Sequence, residues 1–303
     1  MNDLTERLPP DFIMLLLMET AEPHIDGAHA PFVVCSLQEC TRMNTLLREM
    51  RRTLVDLDKG LKGQLNMTQP MEDMITAFTI SEWPGRNPFS KCTWEKNAWP
   101  SMKTLGPQFN DLLRRVEQLT GWTADAVTPM STWISGLFNP MAFLVAVQQV
   151  MARSTKQALD NTTLETHMTT FLDPPQITGD YPVNGMYVHG LFMEGARWTT
   201  PEEGADEVYT EGHTPCRGFL MDSILKELLP PLPVMYVKAV VVLPHWIADG
   251  VGYLRQDPAI FECPVYINQK RGGTYVFLAT MTNKDLISKW VMTATAVMMQ
   301  TDS

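Results

Sequence analysis

Glu194 and Arg197 stand three residues apart in Glu194-Gly195-Ala196-Arg197-Trp198, with His189 just upstream, and together they invite a catalytic reading. A lone carboxylate with no His or metal partner rarely marks an active site, so the pair reads as an ion pair beside an aromatic anchor. In His245-Trp246-Ile247-Ala248-Asp249-Gly250 a histidine precedes an Asp-Gly pair, and a turn between strands accounts for that pair. No phosphate-binding loop aligns, and Gly250-Val251-Gly252 lacks the third glycine of a dinucleotide fingerprint. His24 and His29 are five apart, which does not set both on one helix face for zinc. Cys35 and Cys40 with His24 would be a metal set only if Cys40 left the apolar stripe it belongs to. The sequence therefore assigns no catalytic, cofactor-binding or metal-binding residue.

Composition narrows the classes further. Apolar residues make up 45% of the 303, enough to build a core. The net charge is -10: the first 175 residues hold 15 Lys and Arg against 20 Asp and Glu, the rest 9 against 14. Neither part has the basic surplus that nucleic-acid binding requires. No apolar run reaches the roughly 18–20 residues of a membrane span, and the expectation is an intracellular protein without a secretory signal. Five cysteines at irregular spacing, with no CxxC, read as reduced core thiols.

Two kinds of patterning position these residues. Up to about residue 175 the sequence reads as a helical bundle. Ser36-Leu37-Gln38-Glu39 has the form of a capping box. Leu37, Cys40, Met43, Leu46, Leu47, Met50, Leu54, Leu57 and Leu61 then make a helical stripe over 36–63. Arg42, Arg48, Arg51, Arg52, Lys59 and Lys62 occupy the other face, a solvated surface or a basic one meeting an acidic partner domain. Residues 81–106 read as an extended loop. Pro107 opens a second helix striped by Phe109, Leu112, Leu113, Val116 and Leu119, and Gly121 suits its end. Asn139-Pro140 caps a third that runs to about Arg153.

From 176 to 303 the pattern is β. Strands are expected at Val183–Phe192, Val234–Leu243, Cys263–Asn268, Thr274–Thr282 and Trp290–Met299, with a hairpin turn at 269–273. A short helix is expected at 222–229 and an acidic loop at 202–211. No helical pattern regularly separates the strands, which predicts an antiparallel sheet or barrel. The fold class expected is α+β: an N-terminal helical bundle, then a small antiparallel β-barrel.

The blocks themselves are specific. Tyr187-Val188-His189-Gly190-Leu191-Phe192-Met193-Glu194-Gly195-Ala196-Arg197-Trp198 resembles Y-V-x-G-L-F-L-E-G-A-R-W, the signature of the C-terminal domain of dynein heavy chains. Trp133-Ile134-Ser135-Gly136-Leu137-Phe138-Asn139-Pro140-Met141-Ala142-Phe143-Leu144 resembles that family's W-L-S-G-F-F-x-P-Q-A-F-L. Gln38-Glu39-Cys40 with Asn44, Trp99-Pro100-Ser101, Asp111-Leu112-Leu113 and Cys263-Pro264-Val265-Tyr266 follow in the family's order. Ala158 stands where the family has Pro, and Ala239–Gln256 aligns with nothing.

The resemblance covers about residues 4–299 and is closer to axonemal (ciliary) dyneins than to cytoplasmic ones. It implies a domain that binds no nucleotide or other cofactor, packs on the AAA+ modules of its own heavy chain and tunes motor output. The other subunits of the dynein complex are then indirect partners, and cytoplasm, cytoskeleton and the axoneme of a cilium or flagellum the location. Trp133, Gly136, Phe143, Tyr187, Gly190, Glu194, Gly195, Arg197, Trp198, Cys263, Pro264 and Tyr266 become structural signature positions, with Arg48, Arg51 and Arg52 as the candidate interface. Two alternatives stay open. The His245 hexapeptide is similar to the HxxxDG signature of CoA-dependent acyltransferases, whose His is a general base and whose Asp is structural. A free-standing interaction module is the other.

Overall fold

Seven helices described before residue 156 form the first part: α1 (Asn2–Arg7), α2 (Met14–Ala21), α3 (Ala30–Leu61), α4 (Gln69–Thr79), α5 (Trp94–Asn97), α6 (Leu105–Ala124) and α7 (Pro140–Thr155). The computed structural model describes residues 2–124, 126, 128–169, 171–177, 182, 184–199, 219–222, 231–242, 247–248, 253–254, 257, 259–283 and 285–301. For residues 2, 197, 199, 219–222, 247–248 and 253–254 it describes the backbone alone.

The α3 stripe follows its spacing as far as Leu57: Cys40, Met43, Leu46, Leu47, Met50, Leu54 and Leu57 are all buried, Leu37 is half-buried, and Leu61, the last residue of the helix, is exposed. Its start differs. The helix begins at Ala30, with Pro31 in the first turn where a missing N–H costs nothing. Ser36 is already one turn inside and donates to the Val33 carbonyl at 2.8 Å, so the capping box is not formed. The 81–106 loop is anchored by indoles: Trp83, Trp94 and Trp99 are buried, with Trp83 5.4 Å from Trp94 and 6.5 Å from Trp99. The short α5 within it docks on α3 as Trp94 Nε1 donates to Thr53 Oγ1 at 2.8 Å.

The β part departs from the expected barrel. Its strands are β1 (Ser131–Trp133), β2 (Thr162–Met168), β3 (Gly185–His189), β4 (Phe192–Glu194), β5 (Ala196–Thr199), β6 (Phe219–Asp222), β7 (Met235–Val241), β8 (Ile247–Ala248), β9 (Tyr253–Leu254), β10 (Ile260–Tyr266), β11 (Phe277–Thr282) and β12 (Ala296–Met298), with α8 (Ile287–Met292) between the last two. Among the described residues they form two four-stranded sheets, ordered β1-β3-β7-β2 and β11-β10-β12-β4, and two two-stranded pairs.

Both four-stranded sheets are mixed. β1 runs parallel to β3, and β12 parallel to β10. Parallel neighbours need long crossovers: α7 and β2 lie between β1 and β3, and β11 and α8 lie between β10 and β12. Instead of closing through a ladder, β2 and β11 are joined by two threonines. Thr166 N donates to Thr280 Oγ1 at 2.9 Å, and Thr280 N to Thr166 Oγ1 at 2.7 Å. The expected strand Trp290–Met299 is half helix, since Trp290 belongs to α8 and only Ala296–Met298 pairs. The expected helix at 222–229 and the acidic loop at 202–211 lie outside the described residues, apart from Asp222 at the end of β6.

Two of the four strands in the first sheet come from before residue 175. α7 explains how: it packs on α3 on one side and on β2, β3 and β7 on the other. One apolar cluster runs through both parts, from Leu46 and Phe143 to Val237 and Val265.

Candidate functional site

The two longest signature blocks converge on one indole. Trp133 ends β1, and Gly190 follows β3, its parallel neighbour. A β-carbon at Gly190 would lie 2.2 Å from Trp133 Cδ1, and one at Gly136 2.4 Å from Trp133 Cε3. Both positions must therefore lack a side chain for the ring to fit. Gly190 also has φ +82°, a conformation that side chains resist. Gln118 fixes the Trp133 backbone from both ends: its Oε1 accepts from Trp133 N at 2.7 Å, and its Nε2 donates to Trp133 O at 3.2 Å. Ser135 Oγ donates to the Gly190 carbonyl at 2.5 Å.

Beneath this indole lies Arg115 of α6, fully buried. Its Nη2 donates to Ser135 O at 2.6 Å and its Nη1 to Leu137 O at 3.4 Å. Its guanidinium centre sits 3.8 Å from the Trp99 ring centroid and 5.2 Å from that of Trp133. With the Gln300 amide oriented to satisfy both its atoms, that side chain donates to Pro100 O at 2.9 Å and accepts from Arg115 at 3.1 Å. Burial pulls the guanidinium down to about 9, against the opposing pull of Asp111 and Glu39, so it remains charged at neutral pH. A buried cation with carbonyls, a side-chain amide contact and two aromatic faces, and no carboxylate in hydrogen-bond contact among the described residues, is a tie between elements. It joins α6, the 135–137 turn and the residues after β12.

Glu39 completes the junction from α3. It is buried, and its carboxylate accepts from Phe138 N at 2.6 Å and Asn139 N at 2.9 Å. These N–H groups lie just before α7, where the helix dipole favours an anion. Burial outweighs them and holds the carboxyl above its usual value. Asn139 caps α7 as its sequence predicts, accepting from Ala142 N at 3.2 Å. Phe143, one turn on, packs against Phe32 at 5.5 Å and Trp122 at 5.8 Å.

The block 187–198 is three strands, where a single strand ending at Phe192 is expected. Gly190 and Gly195, at φ +82° and +83°, break it into β3, β4 and β5, each in a different sheet. A β-carbon at Gly195 would lie 2.8 Å from the Thr293 carbonyl. Tyr187 is buried against Tyr236 at 5.6 Å. His189 Nδ1 lies 2.8 Å from Ser131 Oγ, and burial together with Arg114 pulls its imidazole down to about 4, with Asp173 opposing. Glu194 pairs with Arg271 of the predicted hairpin turn at 3.2 Å. Arg197 pairs in register with Met221, and its side chain lies outside the described residues. Trp198, half-buried, packs on the core.

Cys263 is buried in β10, and burial pushes its thiol up, away from the reactive thiolate. Pro264 is tolerated in this inner strand because β12 meets β10 only at Val265 and Tyr266, leaving β11 as its neighbour at 264. Tyr266 O accepts from Met299 N at 2.9 Å and leads toward Gln300. His245 and Asp249-Gly250 lie outside the described residues.

The candidate interface arginines are each engaged by groups of their own polypeptide. Arg48 and Arg51 both bind Asp11, each at 2.5 Å, and Arg51 also donates to Pro9 O at 2.7 Å. Asn44 adds two bonds to Phe12, both at 2.8 Å. The strap between α1 and α2 is thereby fastened along α3. Arg52 binds Glu49 at 2.8 Å and Asp56 at 3.2 Å on its own helix. The sequence reading missed Arg115 as a site residue, although it lies three after Leu112 and four before Leu119, on the buried stripe.

The family model for the C-terminal domain of the dynein heavy chain matches residues 1–299. The protein is 37% identical over 301 residues to the ciliary dynein beta chain of Heliocidaris crassispina. It is 37% identical over 300 residues to dynein axonemal heavy chain 17 of Mus musculus. With the flagellar outer-arm dynein beta chain of Chlamydomonas reinhardtii it shares 38% over 296 residues. These alignments cover 99%, 99% and 96% of its length, and it spans only 6% of the length of each relative.

Proposed function

Since the protein belongs to the family of dynein heavy-chain domains found at the C-terminus, of the axonemal type, we propose that it packs on the AAA+ ring of its own heavy chain and tunes motor output. It acts as a non-catalytic brace within the motor of a cilium or flagellum, in the cytoskeleton of the axoneme. Microtubules and the other subunits of the dynein complex are reached through the rest of the motor. The observation that carries this reading is the use of the signature residues. Trp133, Gly136 and Gly190 build a closed, packed junction with Arg115 and Glu39 that fixes helices to sheets. Such a junction makes a stiff body, which is what a brace requires. The Arg48, Arg51 and Arg52 face enters as reinforcement, because carboxylates of the same polypeptide answer each guanidinium.

The test is a parent heavy chain from which residues 1–299 are deleted, with ATP turnover and microtubule gliding velocity measured against the intact motor. Turnover should persist while velocity or stall force changes. Unchanged velocity and force would remove the regulatory role.

A further inference from the structure

Helix α2 is apolar on both sides, yet only one side is covered. Met14 and Leu17 pack on the core and Ala21 is buried against it, a 3–4 spacing that sets them on one face. The opposite face carries Leu15 at 70% exposure and Leu16 at 55%, with Ile13 beside them at 67%, while Met18, one turn after Met14, flanks the packed face. The first turn of α2, Met14 to Leu17, is apolar all round, and such a stretch is ordinarily buried all round. The polar clamp described above holds it in place: Asp11 between Arg48 and Arg51, and Phe12 on Asn44. The strap leading into an exposed apolar helix is thus fixed independently of anything that covers the helix.

We infer that the outer face of α2 docks against the portion of the same heavy chain that precedes this domain, on an apolar patch with a basic rim. The inference rests on the ring-packing reading and names the surface. Two observations select the occupant. The matched family is the C-terminal part of its heavy chains and spans 6% of the relatives' length, so the bulk of such a polypeptide enters from the N-terminal side, where α2 lies. Glu19 lies on α2, Glu22 caps its C-terminal end and Asp26 follows four residues on; all three are exposed, and none forms an ion pair among the described residues. Apolar cover with Lys or Arg at its edge meets both features.

The experiment places a photo-crosslinking residue, p-benzoylphenylalanine, singly at Leu16, Leu61, Phe89 and Met292 of the full-length heavy chain. All four are exposed, so the protein should fold with each. Leu16 should crosslink in high yield to an apolar segment preceding the domain. Glu19→Lys with Glu22→Lys should cut that yield severalfold, and an unchanged yield would overturn the basic rim. If Leu16 is silent while another position crosslinks to the preceding part of the motor, docking uses a different face; this inference falls and ring packing stands. If all four are silent, ring packing falls too. Crosslinks from Leu16 to a second heavy chain or another protein would also overturn it.

Discussion

Arg115 and the trio Arg48, Arg51 and Arg52 are the same residue type on neighbouring helices, and they do opposite work. Arg115 has no exposed surface, and its two terminal nitrogens reach main-chain carbonyls while its flat faces meet Trp99 and Trp133. The side chains of Arg48, Arg51 and Arg52 are 65%, 40% and 62% exposed and satisfy carboxylates. Charge in water is cheap to place and weakly held, because solvent screens the pair and two flexible side chains must be ordered. Charge in the core must be answered by fixed polar groups, and then it fixes whatever answers it. The buried cation thus joins α6, the 135–137 turn and Gln300, while Arg48 and Arg51 fasten one strap to one helix and Arg52 pairs within that helix.

The strongest way to break this contrast is Arg115→Met. The substitution keeps the apolar volume but leaves Ser135 O and Leu137 O without donors and removes both aromatic contacts. Urea denaturation should show a loss of about 3 kcal/mol or more. Arg115→Lys should recover only a small part, since a single ammonium cannot span carbonyls and rings as a planar fork does. A loss below about 1 kcal/mol for the Met variant would mean that burial does not separate the two kinds of arginine.

A second test uses pH. His189, at the rim of the junction, is held neutral by burial and by Arg114, so its folded value is about 4 against the ordinary 6.5. The unfolded polypeptide therefore takes up this proton first as pH falls. Stability should drop between about 6.5 and 4, by up to about 3 kcal/mol, and the histidine contribution should level off below. Asp11 in the exposed cluster behaves otherwise. Burial works to raise its carboxyl, but the hydrogen bonds from Arg51 and Arg48 prevail and leave it below 3.8, so its contribution is present above that value and fades in stronger acid. Urea midpoints of the native protein and of His189→Gln at pH 7 and 4.5 check this. The stability advantage of the native protein over the variant should shrink on acidification, and a constant difference would place His189 outside the junction's energetics.

What the sequence made legible follows from range. The α3 stripe, the Asn139-Pro140 cap and the strand expected at 234–243 are local patterns of period and capping that form close to where they are predicted, whereas the strand expected at 263–268 forms at 260–266, shifted toward its start. Ser36 and Glu39 have capping-box spacing, but Glu39 answers Phe138 and Asn139 some hundred residues away, a partnership no local pattern records. The strand at 162–168 lacks a strong signal because Thr162, Glu165 and His167 interrupt its apolar positions; it is made by pairing with β7. The barrel failed for the same reason, since parallel pairing of β1 with β3 and of β12 with β10 depends on crossovers. In the signature blocks the residue types were legible long before their geometry was. Only the fold shows that Gly136 and Gly190 flank one indole.

The smallest expected effect sharpens the contrast from the exposed side. Arg51→Ala removes one of two guanidinium contacts to Asp11 and the bond to Pro9 O, yet Arg48 still holds the carboxylate and water replaces the rest. The cost should be about 1 kcal/mol or less, and smaller still in high salt. Arg48→Ala should cost about half as much, having only the ion pair to lose. Because both arginines share Asp11, the double variant should exceed the sum of the singles, as the second loss frees a partly covered carboxylate. The visible consequence should be local: faster amide exchange at Phe12, with no change in the strands of either sheet. Exchange that spreads to β3 or β12 would mean that the strap and the buried junction are one cooperative unit, and that the two kinds of arginine are coupled after all.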